Sequence, residues 1–135
     1  MQSSRKSDEI KTRSRKGAIL YFGYAIPILQ QRTKTLHEAG YLVANASNVR
    51  SALGLIHKGK RDFAALIIGE RVPESERLQV SRAFRQWCPA GVIIVFYRDS
   101  VKNADAADAL LDANRIPDSL VETVGALAGR YPTGD

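Results

Sequence analysis

Short apolar runs alternate along the chain with longer segments in which apolar residues recur at helical spacing. Three runs are strongly apolar, at Ala18–Phe22, Phe63–Ile68 and Val92–Tyr97, and a weaker one lies at residues 41–44. Runs of this length, rich in aliphatic and aromatic residues, are typical of strands buried on both faces of a parallel sheet. A brief fifth strand is predicted at residues 109–111.

Helices are predicted between these strands. The first spans residues 27–39 and stops at Gly40, the second runs from a Ser47 N-cap to Gly59, and the third ends at Pro89. A final amphipathic helix is predicted at residues 118–128. The second and third helices each carry apolar residues at i, i+3, i+4 and i+7, which places them on one face: Val49, Ala52, Leu53 and Ile56, then Val80, Ala83, Phe84 and Trp87.

Strands that alternate with helices of this length predict right-handed βαβ crossovers. We therefore expect an α/β domain with a doubly wound, five-stranded parallel sheet in the flavodoxin-like order, the first and third strands adjacent at its centre. The chain has 135 residues, enough for one domain with an ordinary hydrophobic core.

Positive charge is concentrated at the N-terminus. Residues 1–16 hold six basic and two acidic residues, so four of the chain's six net positive charges lie there. The segment has no apolar periodicity and is predicted to be a flexible tail. The predicted domain occupies residues 17–130, followed by a short tail at 131–135. Because the domain itself is nearly neutral, a built-in nucleic-acid surface is disfavoured.

Several classes of protein are excluded by composition. The single cysteine, Cys88, rules out an internal disulfide and a cysteine-rich zinc site. No apolar run approaches the length of a membrane span, and the basic N-terminus lacks the apolar core of a signal peptide. These features predict a cytoplasmic protein without a membrane partner.

Three stretches resemble parts of response-regulator receiver domains. Residues 62–73, DFAALIIGERVP, are similar to the third strand and following loop, in which the phosphorylated aspartate lies four residues before a proline. Residues 107–111 resemble the fifth strand, and residues 116–120 resemble the loop that opens the last helix. The resemblance covers residues 17–129 and implies the receiver fold.

The resemblance also implies five functional positions, and none carries a suitable residue. The acidic pair that holds Mg²⁺ matches Gly23 and Tyr24, and the phosphoacceptor matches Gly69. The hydroxyl and lysine positions match Tyr97 and Ala113. Mg²⁺ is normally anchored by carboxylates, so no metal, cofactor or enzymatic activity is expected.

Neighbouring residues are not expected to restore this chemistry. Strand alternation predicts that Glu70 points away from the direction of residue 69. Tyr24 and Tyr97 are interpreted as aromatic filling of the space left by the metal and the phosphate.

Two surfaces are candidates for contact with a partner. The segment between the fourth and fifth strands is too short for a full fourth helix, which implies a shortened fourth helix and exposed apolar edges. This predicts an interaction face that contains Val101, Leu110, Leu120 and Val121. The alternative is a basic patch on the third helix formed by Arg77, Arg82 and Arg85.

The leading hypothesis is a receiver-like signalling domain that cannot accept a phosphoryl group and works through a protein partner or a homodimer. Two alternatives stay open. One is a nucleic-acid-associated regulator that uses the basic tail and the third helix. The other is a small-ligand sensor at the carboxyl ends of the strands, where open α/β sheets place ligands.

Overall fold

The computed structural model describes residues 17–59, 63–98, 107–114 and 118–127. Within them, helices and strands alternate as the apolar pattern predicts, with boundaries that differ by at most two residues where the prediction gave both ends. The elements are β1 (Ala18–Phe22), α1 (Ile26–Glu38), β2 (Leu42–Ala46), α2 (Val49–Gly59), β3 (Phe63–Ile68), α3 (Glu74–Trp87), β4 (Val92–Tyr97), β5 (Ala109–Asp112) and α4 (Asp118–Leu127).

The five strands form one parallel sheet in the order β2-β1-β3-β4-β5. The predicted neighbours β1 and β3 pair at its centre, so the expected strand order is confirmed. The order of the strands reverses between β1 and β3, and in open α/β sheets ligands bind at the carboxyl ends of the strands at such a reversal. Gly23 and Gly69, which match two functional positions of the family, follow β1 and β3 at that edge.

Each face of the sheet has its own apolar core. Alternate residues of β1 point to opposite faces, so Ile19 and Tyr21 join one core while Leu20 and Phe22 join the other. Helices α1 and α4 cover the first core, and α2 and α3 cover the second. All six residues of β3 are buried, as expected of a strand covered on both faces.

The end of α1 is fixed by a Schellman motif. The N–H of Gly40 donates to the carbonyl of His37 at 3.0 Å, and the N–H of Tyr41 donates to the carbonyl of Leu36 at 3.1 Å. The φ of Gly40 is 103°, which favours glycine because a Cβ is strained there. The chain therefore turns sharply into β2.

The start of α2 differs from the prediction. Asn48, not Ser47, caps the helix, because its Oδ1 accepts the Ser51 N–H at 2.7 Å. Both residues are good N-caps. The helix begins at Val49, one residue later than a Ser47 cap requires.

The fourth crossover connects β4 to β5 through residues 98–108. Residues 99–106 lie outside the described part of the chain, and with them the predicted shortened fourth helix and Val101. The predicted tails at 1–16 and 131–135 lie outside it as well. Asp108 attaches the end of this crossover to β4: its N–H donates to the Ile93 carbonyl, and its carboxylate accepts the Ile93 N–H, each at 2.7 Å.

Candidate functional site: the carboxyl edge of β1 and β3

Two glycines bring the chain segments after β1 and β3 into close contact. The N–H of Gly69 donates to the Phe22 carbonyl at 2.8 Å, and the N–H of Gly23 donates to the Ala46 carbonyl at 3.0 Å. A Cβ placed on Gly69 would lie 3.4 Å from the Cα of Gly23. The positions that match a metal-binding residue and a phosphoacceptor are therefore neighbours, as the resemblance implies, but neither has a side chain.

The ring of Tyr21 fills the space beside these glycines. Its Cε1 lies 3.1 Å from the place of a Cβ on Gly23 and 3.8 Å from that of a Cβ on Gly69. The remaining cavity, lined by residues that include Gly23, Gly69 and Glu70, holds about 10 Å³. That is room for about one water molecule.

Tyr24 also lines this cavity, together with Tyr21, which was not predicted to do so; Tyr97 is not among the lining residues. Tyr24 packs edge-on against Phe22, with ring centroids 5.6 Å apart, and its hydroxyl donates to the Glu76 carboxylate on α3. This hydrogen bond, with smaller effects of burial and of the Glu76 charge, raises the pKa of Tyr24. The Tyr97 carbonyl accepts the Ala113 N–H at 2.7 Å, which joins the positions that match the family's hydroxyl and lysine residues.

A buried ion pair lies next to the tyrosine-filled space. Arg32 Nη1 donates to Glu70 Oε1 at 2.9 Å and to the Tyr21 hydroxyl at 2.8 Å, and Nη2 lies 3.4 Å from Glu70 Oε2. The guanidinium also lies 4.1 Å from the centre of the Phe96 ring. The side chains of Arg32 and Glu70 are only 8% and 3% exposed. Arg98 adds a second, longer contact to Glu70, at 3.4 Å.

The position of Glu70 corrects another expectation. Strand alternation predicts that Glu70 points away from residue 69, but β3 ends at Ile68, so the alternation does not extend to Glu70. Glu70 lines the same small cavity as Gly69, and its carboxylate contacts Arg32. The partner, Arg32, was not predicted either. A signal was present, because Arg32 lies three residues after Leu29 and four before Leu36, within the buried stripe of α1.

The network keeps its charges at neutral pH. Burial by itself would raise the pKa of Glu70, but hydrogen bonds from Arg32 and from its own backbone, with the charge of Arg32, hold it below the ordinary value. Burial opposes the charge of Arg32, yet contacts with Glu70 and Tyr21 leave its pKa raised. Burial raises the pKa of the Tyr21 hydroxyl to about 12, although Arg32 opposes the shift. Tyr21 is therefore a neutral phenol beside a charged pair.

The predicted apolar interaction face is present only in part. Leu110, on the edge strand β5, is 41% exposed, and Val121 is half-buried on α4. Leu120 is fully buried and packs in the core with Val124, so its assignment to the surface is wrong. The reason is that the apolar stripe of α4 is narrow and its centre faces the sheet.

The predicted arginine patch on α3 does not exist as one surface. Arg77 is 4% exposed, and Arg85 forms an ion pair with Asp108 at 2.9 Å. Arg82 is exposed, and the side chain of Arg85 is 40% exposed. Arg77 lies three residues before Val80 and seven before Phe84, within the buried stripe of α3, whereas Arg85 contacts Asp108 at the end of the fourth crossover. Sequence periodicity identified the apolar stripe but not this neighbour.

Two further features are absent from the part of the chain that the structure describes. No group of three or more His, Cys, Asp or Glu side chains is placed to hold a metal ion there. Among the same residues, no helix is both long and apolar enough to cross a membrane. Cys88 is buried at the end of α3, which agrees with a packing role.

Solved structures share this architecture, whereas no family model and no curated protein sequence matches the chain. The response regulator protein TrrA from Thermotoga maritima, in complex with Mg²⁺-BeF, is 24% identical with a TM-score of 0.70, and the match covers 82% of this chain and 98% of that one. For a response regulator receiver domain from Clostridium thermocellum the identity is 18%, the TM-score 0.75 and the coverage 84% and 95%. For the chemotaxis protein CheY4 from Vibrio cholerae the values are 23%, 0.72, 82% and 98%.

The chain has the fold of a receiver domain. Likeness at this level of identity establishes the fold and leaves the chemistry to be judged from the chain's own residues. In this receiver-like domain those residues do not fit Mg²⁺, because Gly23, Tyr24 and Gly69 offer no carboxylate. The guanidiniums of Arg32 and Arg98 beside Glu70 further oppose the binding of a cation.

Proposed function

We propose that the chain is a non-catalytic receiver-like signalling domain that acts through contacts with proteins and does not accept a phosphoryl group on aspartate. The observation that carries the proposal is the filled edge between β1 and β3. Tyr21 and the Arg32–Glu70 pair occupy it, and Gly23 and Gly69 line it. The acidic residues are absent from positions 23, 24 and 69, and side chains fill the space in which they would act.

Glu70 is a poor substitute for the missing aspartate. Both of its carboxylate oxygens contact guanidinium groups, and its side chain is 3% exposed. An attack on phosphorus would require it to leave the buried Arg32, and an uncompensated buried charge is unfavourable by several kcal/mol, about 3–5. The same contacts hold the carboxylate in place as a structural group.

A fixed domain is the expected consequence. A ligand shifts a conformational equilibrium only by its differential affinity for two states. With neither metal nor phosphoryl group bound between β1 and β3, neither of these ligands shifts the equilibrium, and we expect one constant protein-binding surface. The exposed Leu110 on β5 supports a protein partner or a second copy of the chain at that side.

Chemical inertness tests the proposal. Acetyl phosphate or beryllofluoride, each with Mg²⁺, is expected to leave the mass and the melting temperature of the protein unchanged. The matched variant Gly69→Asp is expected to be equally inert, because residues 23 and 24 still provide no carboxylate for the metal. A rise in melting temperature that needs both Mg²⁺ and beryllofluoride in the unmodified protein would overturn the proposal.

The nucleic-acid alternative receives no support from α3. Of its three candidate arginines, one is buried and one is paired with Asp108, so they do not form a phosphate-binding surface.

A further inference from the structure

An open groove lies beside the buried ion pair, at the carboxyl ends of β3, β4 and β5. Gln31, Arg32 and Thr35 of α1 form one wall, and Glu70, Arg98 and Ala113 lie opposite. The groove holds about 230 Å³, far more than the small cavity next to Gly69. It is distinct from the tyrosine-filled space, although Arg32 and Glu70 contribute to both.

The charges that line the groove do not cancel. Arg32 and Arg98 bring two positive charges, and Glu70 brings one negative charge. Arg32 is held by Tyr21, Glu70 and the Phe96 ring, so its position is fixed. Arg32 contacts both carboxylate oxygens of Glu70 and balances its charge. The net positive charge of the groove therefore lies on Arg98.

Arg98 is suited to bind an anion. Its side chain is half exposed, at 50%, and it contacts Glu70 through one nitrogen at 3.4 Å, longer than an ordinary charged hydrogen bond. A guanidinium has five N–H donors in a planar fork that matches the oxygens of carboxylates and phosphates. A long contact at an exposed side chain contributes little, so Arg98 can exchange it for a ligand at small cost.

We propose that this groove binds a small organic anion through a carboxylate or phosphate group held by Arg98, with Gln31 and Thr35 as polar neighbours on the α1 wall. The volume of the groove is about 230 Å³. That suits a small metabolite rather than a nucleotide, since pockets for larger ligands hold about 300–1,000 Å³. The inference is independent of the proposed signalling function, because it concerns non-covalent binding at another cavity.

Titration of the full chain with two probes tests the inference. Inorganic phosphate and succinate are added separately, with chloride at matched ionic strength as the reference, and binding is followed by the amide NMR signals of Arg98 and Ala113. We expect saturable shifts from at least one probe, with a Kd of about 1 mM or lower. The probe that binds identifies the anion as a phosphate or a carboxylate. Binding of both probes would show that the groove recognises the anionic oxygens that the two groups share.

Three variants make the test specific. Arg98→Gln is expected to weaken binding at least about tenfold, because it removes a charged fork from the ligand. Ala113→Glu is expected to block binding by placing a negative charge in the groove. Arg82→Gln, at an exposed arginine of α3, is the matched control and should bind as the unmodified protein does. The absence of saturable shifts with both probes, or an equal loss in Arg82→Gln and Arg98→Gln, would overturn the proposal.

Discussion

Arg32 is a charged residue at a position of α1 where the helical spacing of buried residues predicts an apolar side chain. It lies in the buried stripe of α1 between Leu29 and Leu36, and it is tolerated there because Glu70, Tyr21 and Phe96 all contact it. Buried ion pairs are weak sources of stability, since desolvation opposes the attraction, but breaking one of them is unfavourable. The pair therefore fixes the geometry of this edge more than it stabilises the fold.

A double-mutant cycle measures that coupling. Glu70→Leu leaves the Arg32 charge buried and is expected to lower the free energy of unfolding by about 3–5 kcal/mol. Arg32→Met should lower it less, because Arg98 remains within 3.4 Å of Glu70. The double variant should be more stable than the sum of the two losses predicts, as measured by urea denaturation. Additive losses would show that the pair is not coupled; Arg82→Met, at an exposed site, serves as a control.

The Glu70 carboxyl also predicts a pH dependence. Its pKa is lowered in the folded protein from an ordinary value of 4.5, so its contribution to stability is present above that value and is lost as pH falls through the folded-state pKa. The difference in free energy of unfolding between the unmodified protein and Glu70→Gln should therefore shrink from about pH 6 towards pH 3. A difference that stays constant over this range would contradict the assignment of a charged, paired Glu70.

At the scale of the elements, a glycine is required at some positions and replaceable at others, depending on what an added Cβ would contact. A Cβ on Gly91, between α3 and β4, would lie 2.7 Å from Phe84 Cζ and 2.9 Å from the Phe63 carbonyl oxygen. A Cβ on Gly54, on the exposed side of α2, would meet nothing within 4 Å. Gly91 is thus required by close packing of β3 against the end of α3, whereas Gly54 is not.

The two glycines provide a matched pair of variants. Gly91→Ala is expected to destabilise the protein by about 1–3 kcal/mol, because a backbone oxygen and an aromatic ring must both move. Gly54→Ala is expected to stabilise it by about 0.5–1 kcal/mol, because alanine loses less entropy in a helix. Thermal or urea unfolding of both variants measures the difference. Equal effects on stability would show that the close approach at Gly91 is not important.

At the scale of the whole molecule, the two edge strands expose one leucine each. Leu42 on β2 is 53% exposed and Leu110 on β5 is 41% exposed. They lie on opposite edges of the sheet and have similar chemistry. Only Leu110 lies on the predicted interaction face. Leu42 therefore serves as a control for the effect of changing any exposed leucine on an edge strand.

We expect Leu110→Glu to weaken association, whereas Leu42→Glu and Arg82→Glu should not. Association is measured by sedimentation of the isolated chain, for a homodimer, and by capture of partner proteins from native extract. The physical reason is that a charge placed in an apolar contact loses its hydration without gaining a partner. If only Arg82→Glu weakens binding while all three variants stay folded, the interaction face lies on α3 instead.

Local patterns in the sequence predicted the elements of this protein, and the alternation of strands with helices predicted the strand order. Residues a few positions apart suffice to show that Val92–Tyr97 is a strand, that Val80 and Phe84 share a helix face, and that helices must connect parallel strands. The missing carboxylates at residues 23, 24 and 69 are also visible without a structure, because a strand end can be located from its own sequence.

Only the tertiary structure decided which side chains occupy the carboxyl edge and which arginines remain exposed. Arg32 and Glu70 are 38 residues apart in the chain, and Tyr24 and Glu76 are 52 apart, so no local pattern relates them. Tyr21 looks like an ordinary strand residue until its ring is seen beside Gly23. Arg85 has no local signal for its partner either, and only the fold places Asp108 beside it. The pairing of side chains depends on the neighbours that folding brings together, and such neighbours leave no periodic trace in the sequence.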